Sequence, residues 1–170
     1  MIDNAEKIKY LFLDVDGTLT DGKIYMSESG ELFKAFDVKD GCGIKDILPR
    51  IDVTPVIITA RKSKILEIRC KELGVDYYYQ GIRDKEWKIH EIMREIDCKM
   101  SANGTYDCAA FMGDDILDLK PMKICAVKSC PADAVDQVKS VCDFVSTKNA
   151  GAGAVRQFID LLYELKNKEG

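Results

Sequence analysis

The chain has a single histidine, no long apolar run and no block of basic residues, and each absence removes a class of function. With only His90, the sequence argues against a zinc cluster and against a Ser-His or Cys-His hydrolase. No apolar stretch approaches the roughly 20 residues of a membrane span, and residues 1–9 lack the apolar core of an export signal. A net charge of −4 without a Lys/Arg block argues against nucleic acid as a general partner.

The cysteines also lack a recognisable pattern. There are seven, an odd number, and no two form a Cys-x-x-Cys pair. We therefore expect reduced thiols in a cytoplasmic protein. At 170 residues, with 46% apolar and 32% charged residues, the chain suits one domain, residues 1–170, around a single core.

What is present is a regular alternation of apolar runs and helical segments. The apolar runs are Tyr10–Leu13, Val56–Thr59, Tyr77–Tyr79, Ala109–Met112, Ile124–Val127 and Phe144–Val145. Helical spacing follows in Lys62–Leu73, in the segment after Asp84 (Ile89, Ile92, Met93 and Ile96) and in the C-terminal segment (Val155, Phe158, Ile159 and Leu162). This order predicts an α/β fold, a Rossmann-like parallel sheet with helices on both faces. Such sheets bind ligands beyond the carboxyl ends of their strands.

One segment interrupts this alternation. Residues 22–38 contain two extended runs around a turn at Ser27–Gly30, which predicts an inserted β-hairpin. A two-stranded hairpin is marginal by itself, so we expect it to pack on another subunit. The last residues, 166–170, are expected to be mobile.

Two carboxylates at the end of the first apolar run are the most informative feature. Asp14 and Asp16 follow Tyr10–Leu13 and precede Gly17. Alternation along a strand sends both side chains to the same side, and their repulsion is relieved by a cation or a shared proton. Asp-x-Asp alone is equally compatible with a solvated acidic turn, so the other strand ends decide between a cation site and a turn.

Three further polar groups fall where strands are predicted to end. Thr59 closes its run and has a hydroxyl that can donate to an anion or cap the next helix. Lys85 begins a helix, where the helix dipole disfavours a cation. The third group is an acidic cluster in Met112–Asp118, whose carboxylates can cap a helix or complete an oxygen-rich Mg²⁺ site.

The order Asp-x-Asp, Thr, Lys, Gly-Asp-Asp-x-x-Asp resembles the haloacid dehalogenase superfamily of phosphohydrolases. The motifs span Asp14 to Asp118. The resemblance implies that Asp14 is the nucleophile, forming an aspartyl phosphate, and that Asp16 is the general acid and base. It also implies Mg²⁺ as cofactor, held by the Asp14 carboxylate, the backbone carbonyl of Asp16 and Asp114.

The same resemblance assigns the remaining polar residues. Thr59 and Lys85 are expected to hold the equatorial phosphate oxygens. Asp115 and Asp118 are expected to orient Lys85 or metal-bound waters. The spacings leave no room for a large cap domain after the first or second motif, so the chain resembles the capless members.

Longer matches resemble the 3-deoxy-D-manno-octulosonate 8-phosphate (KDO 8-phosphate) phosphatases. They are DVKDGCGI at 37–44, ITARKS at 58–63, LGV at 73–75, YQG at 79–81 and GAVR at 153–156. The resemblance implies a homotetramer whose hairpins share a barrel, and a small-molecule sugar phosphate substrate used in cell-envelope lipopolysaccharide synthesis.

Arg61 is the candidate for substrate selection. Its planar guanidinium suits the carboxylate of a 2-keto sugar acid, and related nonulosonate 9-phosphate phosphatases typically carry Glu at the matching position. The alternative is a solvent-exposed arginine at a helix start. Three residues depart from the family pattern: Ala60 for Gly, Ala152 for Arg and Gln157 for Glu. These departures bear on substrate recognition and not on the four motifs of the phosphatase chemistry.

Two other functions stay open from the sequence. One is a nonulosonate 9-phosphate phosphatase or a broader sugar phosphatase. The other is a non-catalytic tetramerisation module, related to the C-terminal domain of acylneuraminate cytidylyltransferases. All four motifs are present in this chain, which argues against a purely structural role.

Overall fold

The first strand lies in the middle of the main sheet, which the computed structural model describes within residues 5–167. Its six strands are β1 Tyr10–Leu13, β4 Thr54–Thr59, β5 Tyr77–Gln80, β6 Tyr106–Met112, β7 Cys125–Cys130 and β8 Phe144–Val145. They are parallel and follow the order β5-β4-β1-β6-β7-β8. The predicted α/β fold with a parallel sheet is confirmed. β6 and β7 are longer than predicted because they continue through polar residues such as Asp107 and Lys128.

Helices connect the parallel strands. They are α1 Val38–Cys42, α2 Lys64–Leu73, α3 Lys85–Glu95, α4 Leu119–Lys123, α5 Asp136–Lys139 and α6 Ala154–Asn167. Short turns of other helix types cover Ala5–Lys7, Gly43–Ile47, Leu48–Ile51 and Ile116–Asp118. α2 begins at Lys64, not Lys62, because the Ser63 hydroxyl caps it by accepting from the Leu66 N–H at 3.4 Å. It ends at Leu73 and is capped by Gly74, whose φ of +70° suits glycine.

The sheet separates two apolar layers. On one face α6 buries Val155, Phe158, Ile159 and Leu162 completely. On the other face α3 buries Ile89, Ile92 and Met93. Ile96, predicted to share that stripe, lies beyond the last turn of α3 and is 38% exposed, so that prediction is wrong. Within residues 5–167, no helix combines the length and apolar character needed to cross a membrane.

The inserted hairpin is confirmed, with shorter strands than residues 22–38 suggested. β2 (Tyr25–Ser27) and β3 (Gly30–Phe33) pair with each other and form a separate antiparallel sheet. The Tyr25 and Phe33 rings stack at 4.2 Å, and a bridge between Thr20 and Phe36 closes the base. Most of the hairpin's apolar side chains stay exposed, including Met26 at 59%.

The chain ends are only partly described. Residues 168–170, which were expected to be mobile, lie outside the described residues, as do residues 1–4. Lys166, also expected to be mobile, is instead tied to the other end of the chain. Its Nζ donates to the carbonyls of Glu6 at 3.1 Å and Ile8 at 2.8 Å.

Candidate active site

The carboxyl ends of the central strands bring the predicted polar residues to one edge of the sheet. Asp14 follows β1 directly, Thr59 ends β4, and Asp114 follows β6. β1 pairs with both β4 and β6, so these three positions are neighbours. Lys85 reaches the same place from the first turn of α3.

Lys85 is buried between two carboxylates. Its Nζ lies 2.8 Å from Asp14 Oδ1 and 2.6 Å from Asp118 Oδ1, and the lysine is 3% exposed. Burial by itself would lower the pKa of Lys85, but the charges of Asp14 and Asp118 outweigh burial and raise this pKa. A charged ammonium is therefore fixed beside the predicted nucleophile.

Asp114 and Asp118 complete an acidic cluster with Asp14. One carboxylate oxygen from each lies within 4.8 Å of the others. Asp114 Oδ1 accepts from the Thr18 hydroxyl at 3.1 Å. Asp118 is committed elsewhere, because its Oδ2 accepts from the backbone N–H groups of Asp114 at 3.0 Å and Asp115 at 3.3 Å. Asp14 and Asp114 are thus the carboxylates with capacity left for a metal ion.

The backbone at Gly17 is shaped around Asp114. Gly17 has φ +92°, and a Cβ there would lie 2.1 Å from Asp114 Oδ2. Only glycine lets the loop after β1 approach this carboxylate so closely. Thr18 follows in the same turn, and the sequence reasoning did not assign it a role.

The charges of the cluster are unbalanced without a cation. The pKa of Asp14 is raised to about 6, chiefly by burial and secondly by the charge of Asp118, despite the opposing effect of Lys85. Burial, then the charges of Asp14 and Asp118, raises the pKa of Asp114 to about 8. Three carboxylates face one lysine, and all their donor atoms are oxygens, which are the ligands that Mg²⁺ prefers. The donor set therefore fits a hard divalent cation.

This imbalance predicts that Mg²⁺ stabilises the chain more at high pH than at low pH. In the unfolded chain aspartates lose their protons near pH 4. In the metal-free fold Asp14 and Asp114 have pKa values of about 6 and about 8, so both hold their protons to a higher pH. The free energy of unfolding therefore falls as pH rises through this window. Mg²⁺ replaces these protons, so the difference in Tm between Mg²⁺ and chelator should grow from about pH 5 to pH 8.

The check is thermal melting at both pH values, with Asp114→Asn as the variant that should flatten the trend. Equal differences in the wild-type chain would contradict it.

Asp16 lies outside the carboxylate cluster and is paired with cations instead. Its Oδ1 accepts a hydrogen bond from Lys34 Nζ, and its Oδ2 lies 3.8 Å from Arg61 Nε. Lys34 follows β3, so the hairpin contributes to the site. Lys34 and its neighbour Glu31 were missed by sequence reasoning, because nothing in a hairpin pattern marks a residue that returns to a strand end 18 positions earlier.

The other predicted residues are placed as follows. Thr59 is 2% exposed, and its hydroxyl accepts from the Arg61 N–H at 3.3 Å. Asp115 is exposed and accepts from the Ile116 N–H at 2.7 Å, capping a turn without contacting Lys85. Ala152 is exposed. Gln157 Oε1 accepts from the Ser146 hydroxyl at 2.6 Å and from the Thr147 N–H at 2.9 Å, which ties α6 to the segment after β8.

Comparison with known proteins gives relatives that match nearly the whole of this chain. No protein-family model matches the chain. The chain is 38% identical over 168 residues to the KDO 8-phosphate phosphatase of Escherichia coli K12, covering 99% of this chain and 86% of that protein. It is 36% identical over 168 residues to the Yersinia pestis enzyme of the same name, with the same two shares covered.

Solved structures agree with these relatives. A KDO 8-phosphate phosphatase from Moraxella catarrhalis, in complex with magnesium, phosphate and KDO, has a TM-score of 0.89 at 32% identity, covering 98% of this chain and 92% of that one. The cobalt-bound enzyme from Haemophilus influenzae has a TM-score of 0.89 at 33% identity, covering 98% and 93%. With these relatives and this arrangement of Asp14, Lys85 and Asp114, the chain belongs to the KDO 8-phosphate phosphatase family of the haloacid dehalogenase superfamily.

Proposed function

We propose that this chain is a Mg²⁺-dependent phosphatase that converts KDO 8-phosphate to KDO and phosphate. The observation that carries the proposal is the buried Lys85, held between Asp14 and Asp118 beside Asp114. A buried ion pair of this kind is costly to desolvate and is weak evidence for a stabilising role. A buried lysine that binds an anionic phosphate gives this ion pair a function in spite of its desolvation cost. The ion pair therefore argues against a purely structural assembly module.

In the proposed reaction Asp14 attacks phosphorus and forms an aspartyl phosphate while the sugar alkoxide leaves. Asp16 donates a proton to that oxygen, and then takes one from the water that hydrolyses the intermediate. The hydroxyl of Thr59 and the ammonium of Lys85 hold phosphate oxygens at the two sides of the nucleophile. Both side chains are buried, where fixed donors act most strongly on developing charge.

The metal would be held by the Asp14 carboxylate, the backbone carbonyl of Asp16 and Asp114. When bound, Mg²⁺ neutralises charge between the anionic nucleophile and the anionic phosphate. Asp118 acts through Lys85, since it accepts from Lys85 Nζ and is itself fixed by two backbone N–H groups. For Asp115 we keep only the role of orienting Asp118, because the two form a capping box.

Arg61 is proposed to select the substrate by binding the carboxylate of the 2-keto acid. Its side chain is 44% exposed and lies next to Asp16, so it is accessible to a ligand from solvent and adjacent to the proposed general acid. The guanidinium matches a carboxylate in shape and charge. Nine-carbon 2-keto acids carry the same carboxylate, so the choice of the eight-carbon substrate rests on the KDO 8-phosphate phosphatases to which the chain is similar.

The test of this choice is phosphate release from KDO 8-phosphate and from a nonulosonate 9-phosphate, measured side by side in Mg²⁺. We expect kcat/KM to favour the eight-carbon substrate by tenfold or more, about 1.4 kcal/mol. Equal values, or a preference for nine carbons, would remove KDO 8-phosphate and leave a broader sugar phosphatase.

We further propose a cytoplasmic homotetramer assembled through the hairpins. Support comes from the exposed apolar side chains of β2 and β3, with Leu32 at 58% and Phe33 at 46%, since isolated hairpins are marginal. The seven free cysteines suit a reducing compartment. Light scattering on the purified chain tests the assembly, and a monomer at micromolar concentration would contradict it.

A further inference from the structure

Beside the nucleophile, two cations and two carboxylates alternate in a ring. Lys34 Nζ contacts Asp16 and also lies 3.1 Å from Glu31 Oε1. Arg61 lies 3.8 Å from an oxygen of each of the same two carboxylates. Glu31 belongs to β3 and Lys34 follows it, so this chain's own hairpin supplies half of the ring.

The two cations differ in how firmly they are held. The Lys34 side chain is 3% exposed and makes close contacts with both carboxylates. The Arg61 side chain is 44% exposed, and its 3.8 Å separations exceed hydrogen-bond length. The guanidinium therefore forms ion pairs with the carboxylates without bidentate hydrogen bonds. A carboxylate at hydrogen-bond distance would bind it more strongly.

Glu31 is an ionised carboxylate at this place. Burial would raise its pKa, but hydrogen bonds from Ser63 and Lys34, together with the charges of Lys34 and Arg61, lower the pKa of Glu31 overall. The hydroxyl of Ser63 donates to Glu31 Oε2, which links the hairpin to the start of α2. No step of the proposed reaction uses this carboxylate.

We propose that Glu31 occupies, in the ligand-free chain, the place at Arg61 and Lys34 that the carboxylate of the substrate takes. Glu31 is then a specificity-determining residue, displaced when a 2-keto acid phosphate binds. This inference rests on the proposed function and deepens it. Asp16 and Glu31 already balance the charges of Lys34 and Arg61, so a third carboxylate would add uncompensated negative charge unless one of the first two leaves. Displacement of Glu31 requires its side chain to give up the hydrogen bond from Ser63 and the contact with Lys34, while the strand pairing of β3 with β2 can stay intact.

A consequence is that Glu31 weakens binding of carboxylated ligands by competing with them. Phosphate esters that lack a carboxylate leave Glu31 in place and do not gain from its removal. Discrimination between the two kinds of ester is therefore the measurable property, since specificity is a difference between two affinities.

The experiment compares Glu31→Gln with the wild-type chain on KDO 8-phosphate and on p-nitrophenyl phosphate, in Mg²⁺. Gln keeps the shape and can still accept from Ser63, but it carries no charge. We expect the KM for KDO 8-phosphate to fall about fivefold, about 1 kcal/mol. The ratio of kcat/KM values for the two esters should rise by the same factor. The matched control is Glu28→Gln, the same change at an exposed position in the turn of the hairpin, which should leave the ratio unchanged.

A second pair of variants separates competition from a general effect on the fold. In an Arg61→Met chain, Glu31→Gln should no longer improve the KM for KDO 8-phosphate by more than about twofold, because the more exposed of the two contested cations is gone. An unchanged or higher KM in Glu31→Gln alone, with wild-type turnover intact, would overturn the inference and leave the proposed function standing. Failure of the wild-type chain to hydrolyse KDO 8-phosphate would overturn both.

Discussion

Asp14→Asn should lower phosphate release by about 10⁴-fold or more, the scale seen when a catalytic nucleophile is removed. The amide has nearly the shape of the carboxylate but is too weak a nucleophile to attack phosphorus. Asp14 is 9% exposed and lies 2.8 Å from Lys85 Nζ, and Asn can still accept that hydrogen bond. The measurement is kcat for KDO 8-phosphate in saturating Mg²⁺.

The fold should survive this change. The pKa of Asp14 is raised to about 6, so the metal-free fold does not favour the ionised side chain and loses little when it becomes neutral. We expect a Tm within about 4 °C of the wild-type value, corresponding to about 1 kcal/mol. Activity above 1% of wild type in a folded Asp14→Asn chain would refute the nucleophile assignment.

Lys85→Met should damage both activity and stability. Methionine fills much of the lysine volume but leaves Asp14 and Asp118 buried without their cation. Breaking a buried pair in this way costs about 3–5 kcal/mol, and loss of one fixed donor costs about 10²- to 10³-fold in kcat. Urea unfolding and steady-state kinetics measure the two effects.

The control for Lys85→Met is Lys64→Met. Lys64 is likewise the first residue of a helix, but it is exposed, so its replacement should change the free energy of unfolding by less than about 0.5 kcal/mol. Adding Asp118→Asn to Lys85→Met should recover part of the lost stability without activity, because one uncompensated charge is removed. Near-wild-type kcat in Lys85→Met would show that Lys85 does not touch the phosphate.

The positions of Asp14, Thr59 and Asp114 could be predicted from the sequence because each lies at the end of an apolar run. Tyr10–Leu13 has the observed bounds of β1, which places Asp14 and Asp16 at the strand tip. Once the sheet is parallel, Thr59 and Asp114 must meet Asp14 at the same edge. Lys85 lies in the first turn of α3, where the helix dipole disfavours a cation, and the order of the motifs predicted its role at the phosphate.

What could not be predicted depends on contacts between distant parts of the chain. Glu31 and Lys34 lie in an exposed hairpin whose pattern gives no sign of an active site, yet Lys34 is buried against Asp16. Nothing in the sequence of the acidic cluster distinguishes the role of Asp115 from that of Asp118. Only the turn at Ile116–Asp118 decides that Asp118 faces Lys85 while Asp115 faces solvent.

The most direct test of the account is phosphate release from KDO 8-phosphate by the purified chain, first with Mg²⁺ and then with excess chelator. Asp14→Asn serves as the blank for contaminating phosphatases. The account predicts release that is lost on chelation and restored by added Mg²⁺. Release that is unchanged by the chelator, or no release above the blank in Mg²⁺, would contradict it.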